Sequence, residues 1–469
     1  MAISFGTSNS NPSLLRFSPN NGRTIRADFS GGIMSSDFGP LLLRGIDNQI
    51  GLTKRLAAAF DDKRHPSYIE HPLNDLLAQR IYQVCCGYED GNDSNELRCD
   101  PLFKMGVGRD PLNSDEDLAS GPSFSRLEHA ASRKDIYRLA KTFVEQFIAG
   151  YSKEPEIIVL EMDHSEDQTH GQQEFSFYNG YYGSHCYLPL FIFEGLSGHL
   201  VTAVLRTGKR PTGIENAMVI KRVLKLLRQY WPHTHIILRG DSHFGEPKLM
   251  ELTHDDPLIN FIFGLSSNTI LNRKVKSTLI EAKKLHQVRC HNAITTNQKK
   301  PSSSRIYEEL EYTAGSWPQS YRVIVKAEVM DKGDNHSEVV TSLIQPTPQM
   351  IYEQLYCTRG NDENYIKAIK CDLKSDRTSD TTFLANHLRL YYACAAYVLH
   401  HALRTQTLQH TELAKAQPST IIQKLFKVAV TVVGYKDRIR LRLPSCYPFK
   451  HLLKRITELL YIIPILNTS

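Results

Sequence analysis

Residues 356–370, YCTRGNDENYIKAIK, bring together side chains that can do chemistry. Set on a helix at about 100° per residue, Tyr356, Arg359, Glu363 and Lys370 fall within an arc of about 60°. That face holds one carboxylate, two cations and one phenolic hydroxyl. A lone carboxylate among cations makes a poor core stripe. It suits half of a site for a metal-bound phosphate chain. The plain alternative is a solvated helix face steadied by a Glu363–Lys367 pair at i,i+4. The chemical reading needs further carboxylates from elsewhere in the chain.

Two more acids stand at suitable places. The β-branched run 157–160, IIVL, leads to Glu161 and Asp163, and HIILR at 235–239 leads to Asp241. Both runs read as buried strands. A single Asp at a strand end is most often a turn or capping residue. Asp163, Asp241 and Glu363 together, each after an element of the right type, carry more weight. Clustered carboxylates repel one another unless a cation joins them. Hard oxygen ligands suit Mg²⁺ or Mn²⁺. Two such ions about 3.5–4 Å apart serve phosphodiester chemistry by activating the attacking oxygen and stabilising the leaving one. The cations of 356–370 would then hold phosphates beside the metals. His164 and His243 adjoin the acids, but imidazole is a less natural Mg²⁺ partner, and both are read as structural. Glu161 and Asp167 lie close enough to compete with Asp163 for the role of first ligand.

The elements around these residues suggest how they could meet. Residues 1–38 are rich in Ser, Asn, Gly and Pro and read as a loose leader or short edge strands. Residues 39–150 are helical in pattern, with Ser125 and Glu128 as a candidate capping box. Arg126, Arg133, Lys134, Arg138 and Lys141 give that region a basic decoration, as a DNA-binding helical domain would need. Solvated side chains explain any one Arg more simply. Strands follow at 157–160, 187–194 and 199–205, then a helix at 214–231, a strand at 235–239, a short helix at 247–253 and the strand NFIFGL. Three antiparallel strands followed by alternating helix and strand is a mixed α/β sheet of the ribonuclease-H-like kind. In that arrangement the first and fourth strands are neighbours, so Asp163 and Asp241 would sit side by side.

Residues 272–347 read as a β-rich insertion, carrying Lys299, Lys300 and Trp317. The catalytic domain then resumes at 348–415, with a nearly continuous apolar core helix at 383–403. A helix is expected at 421–432. The alternating RIRLRL places Arg438, Arg440 and Arg442 on one face and Ile439, Leu441 and Leu443 on the other. Such a strand could track phosphates or be an ordinary solvated edge. The implied organisation is an N-terminal helical, DNA-binding region (1–150), a split catalytic domain (151–271 and 348–415), the insertion, and a basic C-terminal region (416–469).

Composition is that of an ordinary globular chain: 469 residues, 41% hydrophobic and 23% charged. A net charge of +6 is compatible with nucleic acid but does not establish it. Nine scattered cysteines form no CxxC pair and no zinc spacing, which points to reduced thiols and a cytoplasmic protein. The N-terminus has no signal-peptide pattern, and the apolar run 459–466 is far short of a membrane span. No membrane association is expected.

The sequence resembles the DDE transposases of bacterial insertion sequences, in the group with a tyrosine–arginine–glutamate–lysine signature, and most of all insertion sequence family 1380. The resemblance rests on LEMDHSEDQTHGQQ around Asp163, LRGDSHFG around Asp241, and Y-x2-R-x3-E-x6-K at Tyr356, Arg359, Glu363 and Lys370. RIYQVCCGYEDGNDSNELRCDPLF and SFSRLEH in the N-terminal part share it. It runs over roughly residues 30–455. It implies Asp163, Asp241 and Glu363 as ligands of two Mg²⁺ ions, with Mn²⁺ as a substitute. It also implies Tyr356, Arg359 and Lys370 as contacts to DNA near the cleaved end. The activity implied is cut-and-paste transposition by a homodimer on double-stranded DNA: nicking at terminal inverted repeats, then attack of the freed 3′-hydroxyl on a phosphodiester. A ribonuclease-H-like nuclease without strand transfer, or a DNA-binding protein without catalysis, is the alternative.

Overall fold

The computed structural model describes residues 14–461. The start of the 1–38 leader and the end of the 459–466 apolar run lie outside the described residues. A sheet of eight strands organises the fold. In chain order these are β1 (Ile157–His164), β2 (Leu190–Glu194), β3 (Leu200–Val204), β4 (His235–Gly240), β5 (Ile259–Leu265), β6 (Ser303–Tyr312), β7 (Tyr321–Met330) and β8 (Gly333–Thr341). Across the sheet the order is β6-β7-β8-β5-β4-β1-β2-β3. β1, β4 and β5 run parallel, whereas β1–β2 and β2–β3 pair antiparallel. The 3-2-1-4-5 half is therefore the expected ribonuclease-H-like arrangement.

Each central strand is an apolar run because both sheet faces are covered. Ile158, Leu160 and Met162 of β1 face one core layer with Ile236 and Leu238 of β4. Val159 and Ile237 face the other, against Ile351 and Tyr352. Four long helices matter for the site: α1 (Arg133–Ala149), α2 (Gly213–Tyr230), α3 (Thr269–Thr295) and α4 (Phe383–Thr407). α2 starts on a Thr212/Glu215 capping box.

Several expectations need correction. The insertion is not simply β-rich: it begins with the 27-residue α3, and its strands β6–β8 extend the main sheet past β5. The capping box of the N-terminal region is Ser132 with Asp135, at the start of α1. Ser125 and Glu128 lie inside the helix Gly121–Ala130, where buried Glu128 pairs with Arg389 at 2.7 Å. The expected helix at 421–432 ends at Phe426, and Val430–Gly434 is a strand between Met34–Ser35 and Ile439–Arg442. Arg440 and Arg442 of RIRLRL lie on an exposed strand with Ile439 exposed beside them, and Arg438 just precedes it. The N-terminal helices pack into one continuous core with α4 and the faces of β2 and β3, including Leu42, Leu77, Phe143, Phe193 and Leu399.

No helix among the described residues is long and apolar enough to cross a membrane. The nine cysteines are free.

Candidate active site

Asp163 and Asp241 arrive at one sheet edge because β1 and β4 are parallel neighbours in register, with Gly240 opposite Met162. The chain leaves β4 through Asp241, whose Oδ1 accepts the His243 backbone N–H at 2.9 Å. Its Oδ2 lies 2.9 Å from His243 Nδ1. Asp163 turns its Oδ1 onto the following amide of His164 at 2.8 Å. Both carboxylates line a cleft of about 210 Å³ with His164, His243, Arg210, Tyr181 and Tyr182.

Burial pushes the Asp163 carboxyl up to about 6, and the nearby charge of Asp241 adds to this; Arg359 pulls against it, and Glu363 adds a smaller repulsion. For Asp241, burial also pushes upward, but the hydrogen bonds and charge of His243, with Arg359, outweigh it and hold the carboxyl below its usual value. The His243 imidazole is raised in turn by its hydrogen bond to Asp241. His164 stacks on Phe244 with ring centroids 4.7 Å apart, and burial drives its pKa down to about 3. Neither of its ring nitrogens has a hydrogen-bond partner among the described residues.

The segment bearing the other predicted residues is helical but unevenly wound. Wide π turns over Met350–Tyr356 give way to a tight 3₁₀ stretch at Cys357–Asn361, an α-helix at Asp362–Lys367 and π turns again at Ala368–Asp372. The 3₁₀ stretch turns about 120° per residue, so the four residues do not share the single face that uniform winding implies. Arg359 reaches Asp163, Nη1 to Oδ2 at 3.6 Å. Tyr356 lies over the sheet at Gly264, where an added Cβ would stand 2.6 Å from its hydroxyl and 2.9 Å from the Ser242 nitrogen. Glu363 is exposed, close enough to Asp163 to repel it. Lys370 turns inward instead. Its ammonium donates to the Glu166 carbonyl and pairs with buried Asp167 at 3.4 Å.

The competing acids are thus neutralised by cations of their own. Asp167 has Lys370, and Glu161 has Arg239, leaving Asp163 as the β1 carboxylate that lines the cleft. Sequence reading missed Arg239 and the cleft residues Arg210, Tyr181 and Tyr182. For Arg239 a signal was present: Glu161 and Arg239 share strand parity with Asp163 and Asp241. For the hairpin bearing the tyrosines none was. It is fixed by contacts distant in sequence, such as Asn179 Nδ2 donating to the Gly208 carbonyl at 2.9 Å.

Two half-buried carboxylates side by side, with the charge of Asp241 raising the cost of ionising Asp163, offer oxygen donors that suit a hard divalent cation. Among the described residues, no three His, Cys, Asp or Glu side chains stand close enough to hold a metal ion together.

A family model described as transposase DDE domain group 1 matches residues 17–464. No curated protein matches the chain. A solved structure, piggyBac transposase in a synaptic complex with hairpin DNA, aligns over 92% of this chain and 87% of its own, at 13% identity and a TM-score of 0.40. That likeness is too slight to argue from. The family match spans nearly the whole chain and includes both strand-end aspartates and the 356–370 segment, so the protein belongs to the transposase DDE domain family, group 1.

Proposed function

We propose that this transposase binds the terminal inverted repeats of an insertion sequence and carries out metal-dependent cleavage and strand transfer on double-stranded DNA. The observation that carries this reading is the pairing of Asp163 and Asp241 at the ends of adjacent parallel strands, with Arg359 against Asp163. Asp163, Asp241 and Glu363 would hold the metal, and two Mg²⁺ ions bound there would polarise the attacking and leaving oxygens. Mn²⁺ satisfies the same donors.

The chain's own residues have separable tasks. His243 orients Asp241 and keeps it ionised. Arg359, beside Asp163, offers a guanidinium to a phosphate oxygen. Tyr356, packed against Gly264 beside the acids, would contact DNA near the cleaved end. The full tyrosine–arginine–glutamate–lysine spacing supports an insertion-sequence enzyme resembling insertion sequence family 1380, acting in the cytoplasm as a homodimer that joins two ends.

The test is incubation of the protein with Mg²⁺ and DNA bearing the element's own terminal repeats. Joined products support transposition. Nicked products without joining support the nuclease alternative, and binding without cleavage supports a non-catalytic DNA-binding protein.

A further inference from the structure

Residues 269–300 hold eight Lys and Arg against the single acid Glu281. The formal charge of this stretch, +7, exceeds the +6 of the whole chain. All other residues together are therefore marginally acidic, and one other stretch of equal length, residues 424–455, is as basic, with nine Lys and Arg against Asp437.

α3 separates its two faces. Leu271, Val275, Thr278 and Ala282 are buried against the sheet. Arg273, Lys276 and Lys284 are exposed on the opposite side, and among the described residues none of them makes an ion pair or side-chain hydrogen bond. Lys299 and Lys300, just beyond the helix, are largely exposed as well. The helix's other cations are engaged: Lys283 pairs with Asp334 at 2.7 Å, Lys274 donates to the Glu311 carbonyl and Arg289 to Ser304 Oγ, each at 3.3 Å. Arg273 and Lys276 stand at i,i+3, where like charges work against the helix. A solvated face that only kept the chain soluble would intersperse acids, as helices commonly do. This face does not.

The placement is as specific as the charge. α3 runs along the outermost strand β6: Asn268 Nδ2 donates to the Tyr312 hydroxyl at 3.0 Å, Thr278 bonds Glu308, and His286 Nδ1 lies 3.1 Å from Ser304 Oγ. In β8, Glu338 is opposite Leu265, the last residue of β5. The β8 residues before Glu338, with their β7 and β6 partners, therefore project beyond the end of β5 by about 16 Å. Asp241 leaves the sheet at that same edge, since Gly240 is level with Phe263. α3 and its ribbon form an arm reaching past the acid cleft.

We propose that the outer face of α3 is a sequence-independent docking surface for the sugar-phosphate backbone of duplex DNA, engaging the helix next to the point of cleavage. This rests on the reading that the acids cut DNA. At about 1.5 Å per residue, α3 is about 40 Å long and spans more than one turn of B-form duplex. Its exposed cations would displace condensed counterions, so the contribution appears as salt dependence.

The experiment compares the wild-type chain with Arg273→Gln/Lys276→Gln/Lys284→Gln by fluorescence anisotropy. The probes are a 30-base-pair duplex of random sequence and one bearing the element's terminal repeat, each measured over a salt series. The slope of log Kobs against log salt should shrink by about 2–3, near 0.9 for each phosphate no longer neutralised. Affinity should fall equally for both duplexes, and the melting temperature should not move. The charge-retaining Lys276→Arg/Lys284→Arg variant should keep the wild-type slope. An unchanged slope in the triple variant overturns the docking surface while leaving the transposase reading intact. A wild-type chain that binds neither duplex overturns both.

Discussion

The Arg239 guanidinium is buried against the Glu161 carboxylate, and its Nη1 also donates to the Leu355 carbonyl at 2.6 Å and to Thr358 Oγ1 at 2.7 Å. The pair lies two residues before Asp241 and Asp163 on the same strands. It ties the sheet to the first turns of the segment that carries Tyr356, Arg359 and Glu363. Gly195 leaves room for the contact, because a Cβ there would meet Arg239 Nη2 at 2.6 Å. Removing the cation strands a fully buried carboxylate and costs about 3–5 kcal/mol. Arg239→Met should therefore show that loss in urea unfolding. The Glu161→Leu/Arg239→Met double variant should lose much less, since apolar replacement of a whole buried pair is often neutral. Equal losses in the single and double variants would contradict the coupling.

Gly264 is where Tyr356 meets the sheet. Gly264→Ala sets a methyl 2.6 Å from the Tyr356 hydroxyl and 2.9 Å from the Ser242 nitrogen. Overpacking of this kind costs about 1–3 kcal/mol. It should shift Tyr356 and the residues beside Asp241 together. Cleavage should fall at least tenfold, with a DNA affinity close to that of wild type. Full cleavage activity in a folded Gly264→Ala chain would argue against a fixed Tyr356.

Lys370 belongs to the signature yet spends its charge on Asp167 and the Glu166 carbonyl. Burial pushes the Asp167 carboxyl up to about 7, against the pull of Lys370. Lys370→Ala should lower stability by an amount on the order of a few kcal/mol, because Asp167 is fully buried. Adding Asp167→Asn should recover part of it. A Lys370→Ala chain with wild-type stability and weakened DNA binding would assign the lysine to phosphate contact instead.

Asp163 titrates near 6 in the folded chain against an ordinary value of 3.8. Between those values the folded state binds more protons than the unfolded state. Without metal, stability should then fall as the pH rises from about 4 to about 6, and the full cost of roughly 3 kcal/mol persists above that window. Asp163→Asn should flatten this slope. Mg²⁺ at pH 7 should stabilise wild type more than the variant, as selective binding to the folded state requires. Urea unfolding across pH 4–8, with and without Mg²⁺, checks both statements. Parallel curves for wild type and variant would contradict the buried, repelled carboxylate.

The legible parts of this protein were those in which local pattern and tertiary role coincide. Apolar runs ending on acids marked β1 and β4, and parallel pairing did the rest. α3 was hidden because small or polar side chains, Thr278, Ala282 and Ala293, hold much of its buried face. Val430–Gly434 looked like the continuation of a helix because a short apolar run carries no decisive period. The 356–370 segment was legible as helical, but its π and 3₁₀ turns were not. Those turns arise from what the segment packs on, including Gly264 and Arg239 of distant strands. The same limit applies to the N-terminal helices, whose apolar faces do not reveal that α4 is their partner.

The most direct test of the acid site is the rate of DNA end cleavage in Mg²⁺ by Asp163→Asn, Asp241→Asn and Glu363→Gln, measured at saturating protein with DNA affinity recorded in parallel. Each variant should cut at least a hundredfold more slowly, about 3 kcal/mol of transition-state stabilisation, while binding the same DNA as tightly as wild type. Cleavage at the wild-type rate by any one of them would remove that residue from the metal site and contradict the three-carboxylate account.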